Sequence, residues 1–353
     1  LGNIAVNRYK FKPTDRETNF GTSTDAKQFK VYFDGEEKDR FETWFGALNL
    51  TYTHSKSTSL SLLASGFLTN ELVGYDISGE YWLDQAGTTG DGNPDNAVGG
   101  ELGVGRYHEH ARNRLKISVF SLGLQGHTGI NKHNLTYGFN FNRQTIMERT
   151  REWELRDSAG YTLPTDGQHI RVISNLMSNQ DLSTTRLAFY VADSYRLQSS
   201  LGYFAFNAGI RLSYWDFNKE FLFSPRLNVA FVPERNPAWT LRFATGLYYQ
   251  QPFYKEFRRP VADAYGNTEV VLNNEIKSQQ SIHFILGTDR TFRMFSRPFK
   301  FSAEAYYKKL NNLIPYEIQN LRVVYQGENL TDGYTAGLDF KLFGQFVPGT
   351  DSW

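Results

Sequence analysis

Phe299-Lys-Phe-Ser-Ala-Glu-Ala-Tyr-Tyr-Lys308 alternates without a break. Phe299, Phe301, Ala303, Ala305 and Tyr307 form one face, and Lys300, Ser302, Glu304, Tyr306 and Lys308 form the other. A period of two is what a pleated strand requires, because successive side chains leave opposite faces. The pattern recurs upstream. Trp239, Leu241, Phe243 and Leu247 oppose Thr240, Arg242, Gly246 and Tyr248. Phe204, Phe206, Ala208, Ile210, Leu212 and Tyr214 are backed by Tyr203, Asn207, Arg211 and Ser213. Leu227, Val229 and Phe231 stand against Arg226 and Asn228, and Leu135, Tyr137, Phe139 and Phe141 against Thr136, Asn140 and Asn142.

A soluble sandwich alternates too, but three features separate this chain from one. The legs often reach about ten residues, the length a tilted strand needs to cross a bilayer, whereas soluble strands usually run to about five or six. Arg and Lys recur on the non-apolar face and are nearly absent from the apolar one. Tyr and Trp gather toward stripe ends (Tyr214, Trp215, Tyr248, Tyr249, Tyr306, Tyr307), where an interfacial belt would sit.

The connections have a rhythm as well. Short polar turns fall at 54–58, 129–133, 197–200, 233–238, 295–298 and 347–351. Long polar loops are expected at 76–113, 154–185 and 254–278. About eleven full legs between residues 41 and 346, preceded by a partial leg at 3–11, read as an all-β, antiparallel up-and-down transmembrane barrel. At about 11–12 strands it is incomplete. Residues 1–353 form a single domain, with no linker or charge block dividing them. The chain starts at Leu1 and stops at Trp353, just past a turn, so it is expected to be an internal piece of a longer protein.

Composition agrees with this reading. Aromatics are 16% of the chain, with 28 Phe, 21 Tyr and 6 Trp, as girdled strands would need. No apolar run of roughly 18 residues is present, which excludes a helical membrane protein. Cysteine is absent, in keeping with export through an oxidising compartment. A net charge of +1 gives no reason to expect a nucleic-acid partner.

Catalytic signatures are missing: there is no Gly-Xaa-Ser-Xaa-Gly elbow, Walker loop or His-Glu-Xaa-Xaa-His. The expectation is a non-enzyme without a cofactor. Asp91, Asn93 and Asp95 place oxygen ligands at alternate positions and are candidates for Ca²⁺, although Pro94 and the lack of a bidentate Glu favour a plain flexible loop. His108 and His110 share a strand face and are candidates for a metal chelate, against a solvated strand end. Arg211, Arg226 and Arg242 are expected to line a lumen, available to an anionic ligand or paired with wall carboxylates such as Glu304 and Asp339. Tyr248, Tyr254, Phe257, Arg258 and Arg259 lie at or near the base of the 254–278 loop, offering stacking surface and charge to a ligand.

Several stretches resemble the barrel of TonB-dependent outer-membrane receptors. Leu187-Ala-Phe-Tyr-Val-Ala-Asp-Ser-Tyr-Arg-Leu is followed by Ala208-Gly-Ile-Arg-Leu-Ser-Tyr and then by Ser224-Pro-Arg-Leu-Asn-Val-Ala-Phe. Gly246-Leu-Tyr-Tyr-Gln-Gln-Pro-Phe, Asn274-Glu-Ile-Lys-Ser-Gln-Gln-Ser and Gly327-Glu-Asn-Leu-Thr-Asp-Gly-Tyr-Thr-Ala-Gly-Leu-Asp-Phe complete the series. Their order and spacing across 187–346 carry the resemblance; residues 1–186 match only in style, and Asn274 stands where the family usually has Pro. The long loops resemble receptors of the Bacteroidetes type. The resemblance implies residence in the lipid of the bacterial outer membrane and capture of a nutrient: a siderophore, vitamin, glycan or peptide. It also implies energised uptake through a TonB complex acting on a plug, and a surface lipoprotein as a further partner. Plug, TonB box and closing strand are not within this sequence. The rival readings are a passive porin-like channel of about twelve strands and a secreted glycan-binding β-protein.

Overall fold

The computed structural model describes residues 1–22, 25–86, 101–157, 171–264, 267–319 and 322–344. Twelve strands follow one another as an antiparallel meander: β1 (Gly2–Phe11), β3 (Asp25–Ser55), β4 (Thr58–Ala86), β5 (Glu101–Ile130), β6 (His133–Asp157), β7 (Arg171–Ser199), β8 (Gly202–Trp215), β9 (Glu220–Pro233), β10 (Trp239–Gln250), β13 (Gln279–Met294), β14 (Arg297–Leu313) and β17 (Thr331–Gly344). Short strands decorate it. β2 (Arg16–Thr22) pairs with β3, and the hairpin of β11 (Arg258–Ala262) and β12 (Thr268–Leu272) sits in the β10–β13 connection. β15 (Tyr316–Gln319) and β16 (Arg322–Tyr325) form a separate hairpin between β14 and β17. Among the described residues β1 and β17 do not pair with each other, so the sheet is open, as an incomplete barrel should be.

The register shows that the alternation is a property of whole rows. Phe206, Val229, Phe243, Leu286, Ala305 and Leu338 lie opposite one another across six strands. The neighbouring row on the other face runs Arg242, Gly287, Glu304, Asp339. Charge on a lipid-facing position near the midplane costs roughly 2–4 kcal/mol for Arg or Lys, so a consistent apolar row has to be the outward one. Leu241, Phe243, Leu286, Leu338 and Phe340 are indeed exposed on the isolated sheet. Phe299 shares this face but is buried, its ring lying over Gly344 and beside Phe292.

Turn chemistry supports the short ends. Asn131 (φ 54°), Phe295 (φ 52°) and Ser296 (φ 61°) adopt left-handed backbone in tight hairpins, the conformation that primed turns use. The turn expected at 347–351 lies outside the described residues.

The long loops need correction. Residues 76–86 and 101–113 continue β4 and β5, and 154–157 and 171–185 belong to β6 and β7. β3, β4 and β5 reach 31, 29 and 30 residues, far more than a bilayer needs. Beyond the lipid no outward position has to be apolar, so the apolar stripe ends while the backbone ladder continues. The connection between β8 and β9, at the same end of the sheet, spans only residues 216–219.

Candidate functional site

The β10–β13 connection folds back over the inward face of β6–β8. Its first segment is a single 3-10 turn, Tyr254–Phe257, closed by a hydrogen bond from the Phe253 amide to the Glu256 carboxylate at 3.0 Å. Phe257 packs edge-on against Trp215, and both are buried together with Ile146, Tyr254, Ile276 and Ile314. Trp215 donates its indole N–H to the Thr184 hydroxyl at 2.7 Å, and Arg186 lies 4.5 Å over its ring. This is the core of the described sheet, and it sits where the strands leave the lipid band.

Glu148 anchors the loop electrostatically. It accepts from the Tyr254 hydroxyl at 2.9 Å and from Ser178 at 2.6 Å, and it pairs with Arg258 at 3.1 Å. Burial, with the Glu148 charge next, pushes the Tyr254 phenol well above its ordinary range. Burial also raises the Glu256 carboxyl, against hydrogen bonds from Phe253 and Gln279.

Further ties hold the loop's return. Ser278, fully buried, donates its hydroxyl to Glu220, and Asn218 donates to the Ile276 carbonyl at 2.7 Å. Asn329 bonds the Lys277 amide at 2.7 Å and the Asn312 carbonyl at 2.7 Å, stitching this loop to the β14–β17 connection. Gly327 (φ 73°) lies so close to Arg258 that a Cβ would come within 2.7 Å of its carbonyl oxygen.

Between this loop and the inward faces of β4–β6 lies a cavity of ≈ 1240 Å³. Its walls carry Glu71, Glu109, Glu152, Glu154, Arg114 and Arg156 from the strands, Lys255 and Arg258 from the loop, and the rings of Phe253 and Tyr325. The last two meet edge to face at 5.3 Å. The setting suits a polar ligand with at least one apolar or aromatic surface, held at the long-loop end.

The residues expected from sequence divide into groups. Tyr254 and Phe257 are 5% and 1% exposed. Their rings are enclosed in the loop anchor and offer no stacking surface, which corrects that expectation. Arg258 borders the cavity, while Arg259 pairs with Glu328 on the neighbouring connection. Tyr248 faces inward on β10, stacked on His283 at 4.3 Å with Arg226 over its ring. Arg211 lies 5.9 Å over Tyr190. Arg242 pairs with Asp289 at 3.2 Å and with Glu304 at 3.8 Å, as a wall charge. None of Tyr248, Arg211 and Arg242 borders the cavity. His108 and His110 both reach Asp76, at 3.4 and 2.7 Å, and His110 stacks on Trp153. Asp91, Asn93 and Asp95 lie outside the described residues.

The sequence does not single out Glu148, Glu220 and Asn329, and it marks Trp215 only as a stripe-end aromatic of an interfacial belt, whereas the fold buries it in the loop anchor. Tyr254 and Glu148 are 106 positions apart, and no local pattern connects them.

The chain matches the family described as TonB dependent receptor-like, beta-barrel, over residues 2–353. No protein of curated function matches. Among solved structures, the siderophore receptor PirA from Pseudomonas aeruginosa is similar at 14% identity, with 99% of this chain and 61% of that one covered and a TM-score of 0.49. The copper transporter OprC is similar at 12% identity, with 98% and 58% covered and a TM-score of 0.47. PirA from Acinetobacter baumannii is similar at 10%, with 97% and 60% covered and a TM-score of 0.47. The chain thus spans about 60% of the length of these structures. With a family match along almost its whole length and an open meander of twelve strands, the chain belongs to the TonB-dependent receptor-like β-barrel family of the bacterial outer membrane.

Proposed function

We propose that these strands form part of the wall and ligand-capturing end of an outer-membrane receptor that takes up a nutrient with energy supplied through TonB. The observation that carries this reading is the ≈ 1240 Å³ cavity under the docked β10–β13 loop. The loop's ties to the wall through Glu148 and Glu220, and to the β14–β17 connection through Asn329, support a fixed capturing surface over a plain passive pore. Such ties hold recognition groups in place on a rigid scaffold.

The substrate classes in view are a siderophore, vitamin, glycan or peptide, and the cavity adds a preference. Five glutamates (Glu71, Glu109, Glu148, Glu152, Glu154) and four cations (Arg114, Arg156, Lys255, Arg258) line it, a near-balanced charge that supports a ligand bearing hydroxyls or amides over a polyanion. The TonB complex, acting through a plug, and a surface lipoprotein over the loop end are the partners this reading calls for. The test is growth of cells carrying the full-length protein on ferric siderophores, oligosaccharides or peptides as the limiting nutrient. Phe253→Ala with Tyr325→Ala is expected to raise the nutrient concentration required by about tenfold, from the loss of aromatic contact at the cavity. Unchanged growth on every nutrient that supports the wild type would remove the cavity from the mechanism.

A further inference from the structure

β4 and β5 carry the inward face of the sheet well past the cavity. Glu71, Val73 and Tyr75 of β4 and Glu109 of β5 line that cavity. Every second position onward from them gives Ile77, Gly79 and Tyr81 on β4, and Tyr107 and Gly105 on β5. The register sets Gly79 opposite Tyr107 and Tyr81 opposite Gly105. Each glycine lies beneath the tyrosine across from it: a Cβ on Gly79 would collide with the Tyr107 ring, and one on Gly105 with the Tyr81 ring. With no side chain beneath to lift them, the two rings lie across the sheet in adjacent rows, pointing in opposite directions. Such rows are roughly 7 Å apart along a strand.

The rings are framed on both sides. From β3, Phe33 meets Tyr107 edge to face and Phe29 meets Tyr81 at a tilt, each pair with centroids 6.4 Å apart. From β6, Arg156 is the register partner of Tyr107, and Glu154 is that of Glu109. Arg156 also pairs with Glu154. The Tyr81 hydroxyl donates to the Asp157 carbonyl at 3.1 Å, which fixes the ring's far end. Tyr81 and Tyr107 are only half-buried, and Phe29 is exposed. Lower in the wall Tyr190 covers Gly138 and Tyr306 covers Gly337 singly. Here two such rings adjoin, beside polar side chains and next to the cavity.

We propose that Tyr81 and Tyr107 form a platform on which consecutive sugar rings of an oligosaccharide stack before the chain enters the cavity. The proposal rests on the nutrient-capture reading and names its substrate class. A sugar ring has an apolar C–H face and a rim of hydroxyls. A flat aromatic ring meets the first through its electron-rich face. The planar groups of Glu109, Glu154 and Arg156 meet the second with paired hydrogen bonds. An oligosaccharide repeats this two-sided unit along its length, as the two tyrosines repeat the platform along the strands. An extended peptide held by the sheet would instead need a free strand edge, and Gly79, Tyr81 and Tyr107 are paired on both sides.

Calorimetric titration of the full-length protein tests the platform, in an amine-oxide detergent because a sugar detergent would compete. The probes are hexasaccharides derived from starch, cellulose, mannan and xylan, with a neutral hexapeptide and a ferric trihydroxamate as the other classes. At least one hexasaccharide is expected to bind, and about tenfold or more tighter than its monosaccharide, because a second ring adds its contacts without a second encounter. Tyr81→Ala with Tyr107→Ala is expected to weaken it by at least about tenfold. Tyr81→Phe with Tyr107→Phe, which returns both ring faces without the hydroxyl tie, should restore most of the affinity. Saturation-transfer NMR on the wild type needs no variant: magnetisation from the aromatic protons should reach the C–H protons of one sugar face. Failure of every hexasaccharide to bind, undiminished binding by the alanine pair, or transfer spread evenly over the sugar overturns the proposal. So does a peptide or chelate that binds in place of the sugars and is lost in the alanine pair; that result leaves the nutrient-capture reading standing, whereas a protein that binds none of the probes counts against both.

Discussion

At the scale of single residues, Glu148 has the heaviest duty. Three groups, two from the β10–β13 connection and one from β7, converge on it, and Arg258 is only partly exposed. Removing a buried partner leaves charge and hydroxyls unmatched, at a cost near 3 kcal/mol. Glu148→Ala is therefore expected to speed hydrogen exchange across residues 253–278 by about a hundredfold while leaving β13 and β14 protected. Equal protection of the loop in both proteins would show that Glu148 does not anchor it. Glu256 gives the loop a pH response. Its folded-state carboxyl titrates above the ordinary range, so protonation favours the docked state. Its stabilising effect is fully present below the unfolded-state value and is lost as pH rises through the raised folded-state value. Loop protection should accordingly increase on mild acidification, and Glu256→Gln should flatten that response. A wild-type loop that loosens on mild acidification would contradict this sign.

At the scale of elements, the alternation along each strand decides what a substitution costs. Phe243 and Arg242 are chain neighbours on opposite faces. Phe243→Lys puts a charge into lipid and should lower folding stability in bilayers by roughly 2–4 kcal/mol. Thr240→Lys, on the inward face beside Asp289, should cost far less. Urea unfolding in lipid vesicles measures both, and equal losses would mean that the face assignment is wrong. This same alternation made the strands legible in the sequence from Leu135 to Lys308. Legibility ended where lipid ended. Over residues 76–86 and 101–113 the ladder continues without an outward apolar stripe, so the sequence there reads as loop. The loop anchor was less legible still. Tyr254 and Phe257 were recognised as important aromatics at a loop base, but their burial depends on Trp215, Ile146 and Glu148, which only the fold brings near.

At the scale of the whole molecule, the sheet separates an exterior chemistry from an interior one. Apolar rows meet lipid, and charged strands with aromatic loops enclose a cavity. The chain contains no cysteine, so single cysteines report on each surface without background. Cysteines at 206, 210, 241 and 286 should react with lipid-dissolved maleimide and resist a charged one, and cysteines at 71 and 255 should do the reverse. The central claim is that this surface captures a nutrient for energised import. It is tested most directly by uptake of the nutrient identified in the growth assay, in cells carrying the full-length protein with and without a working TonB. The account predicts that binding at the cell surface persists without TonB while accumulation inside the cell disappears. Accumulation at an undiminished rate in cells lacking TonB would contradict it and make the protein a passive channel.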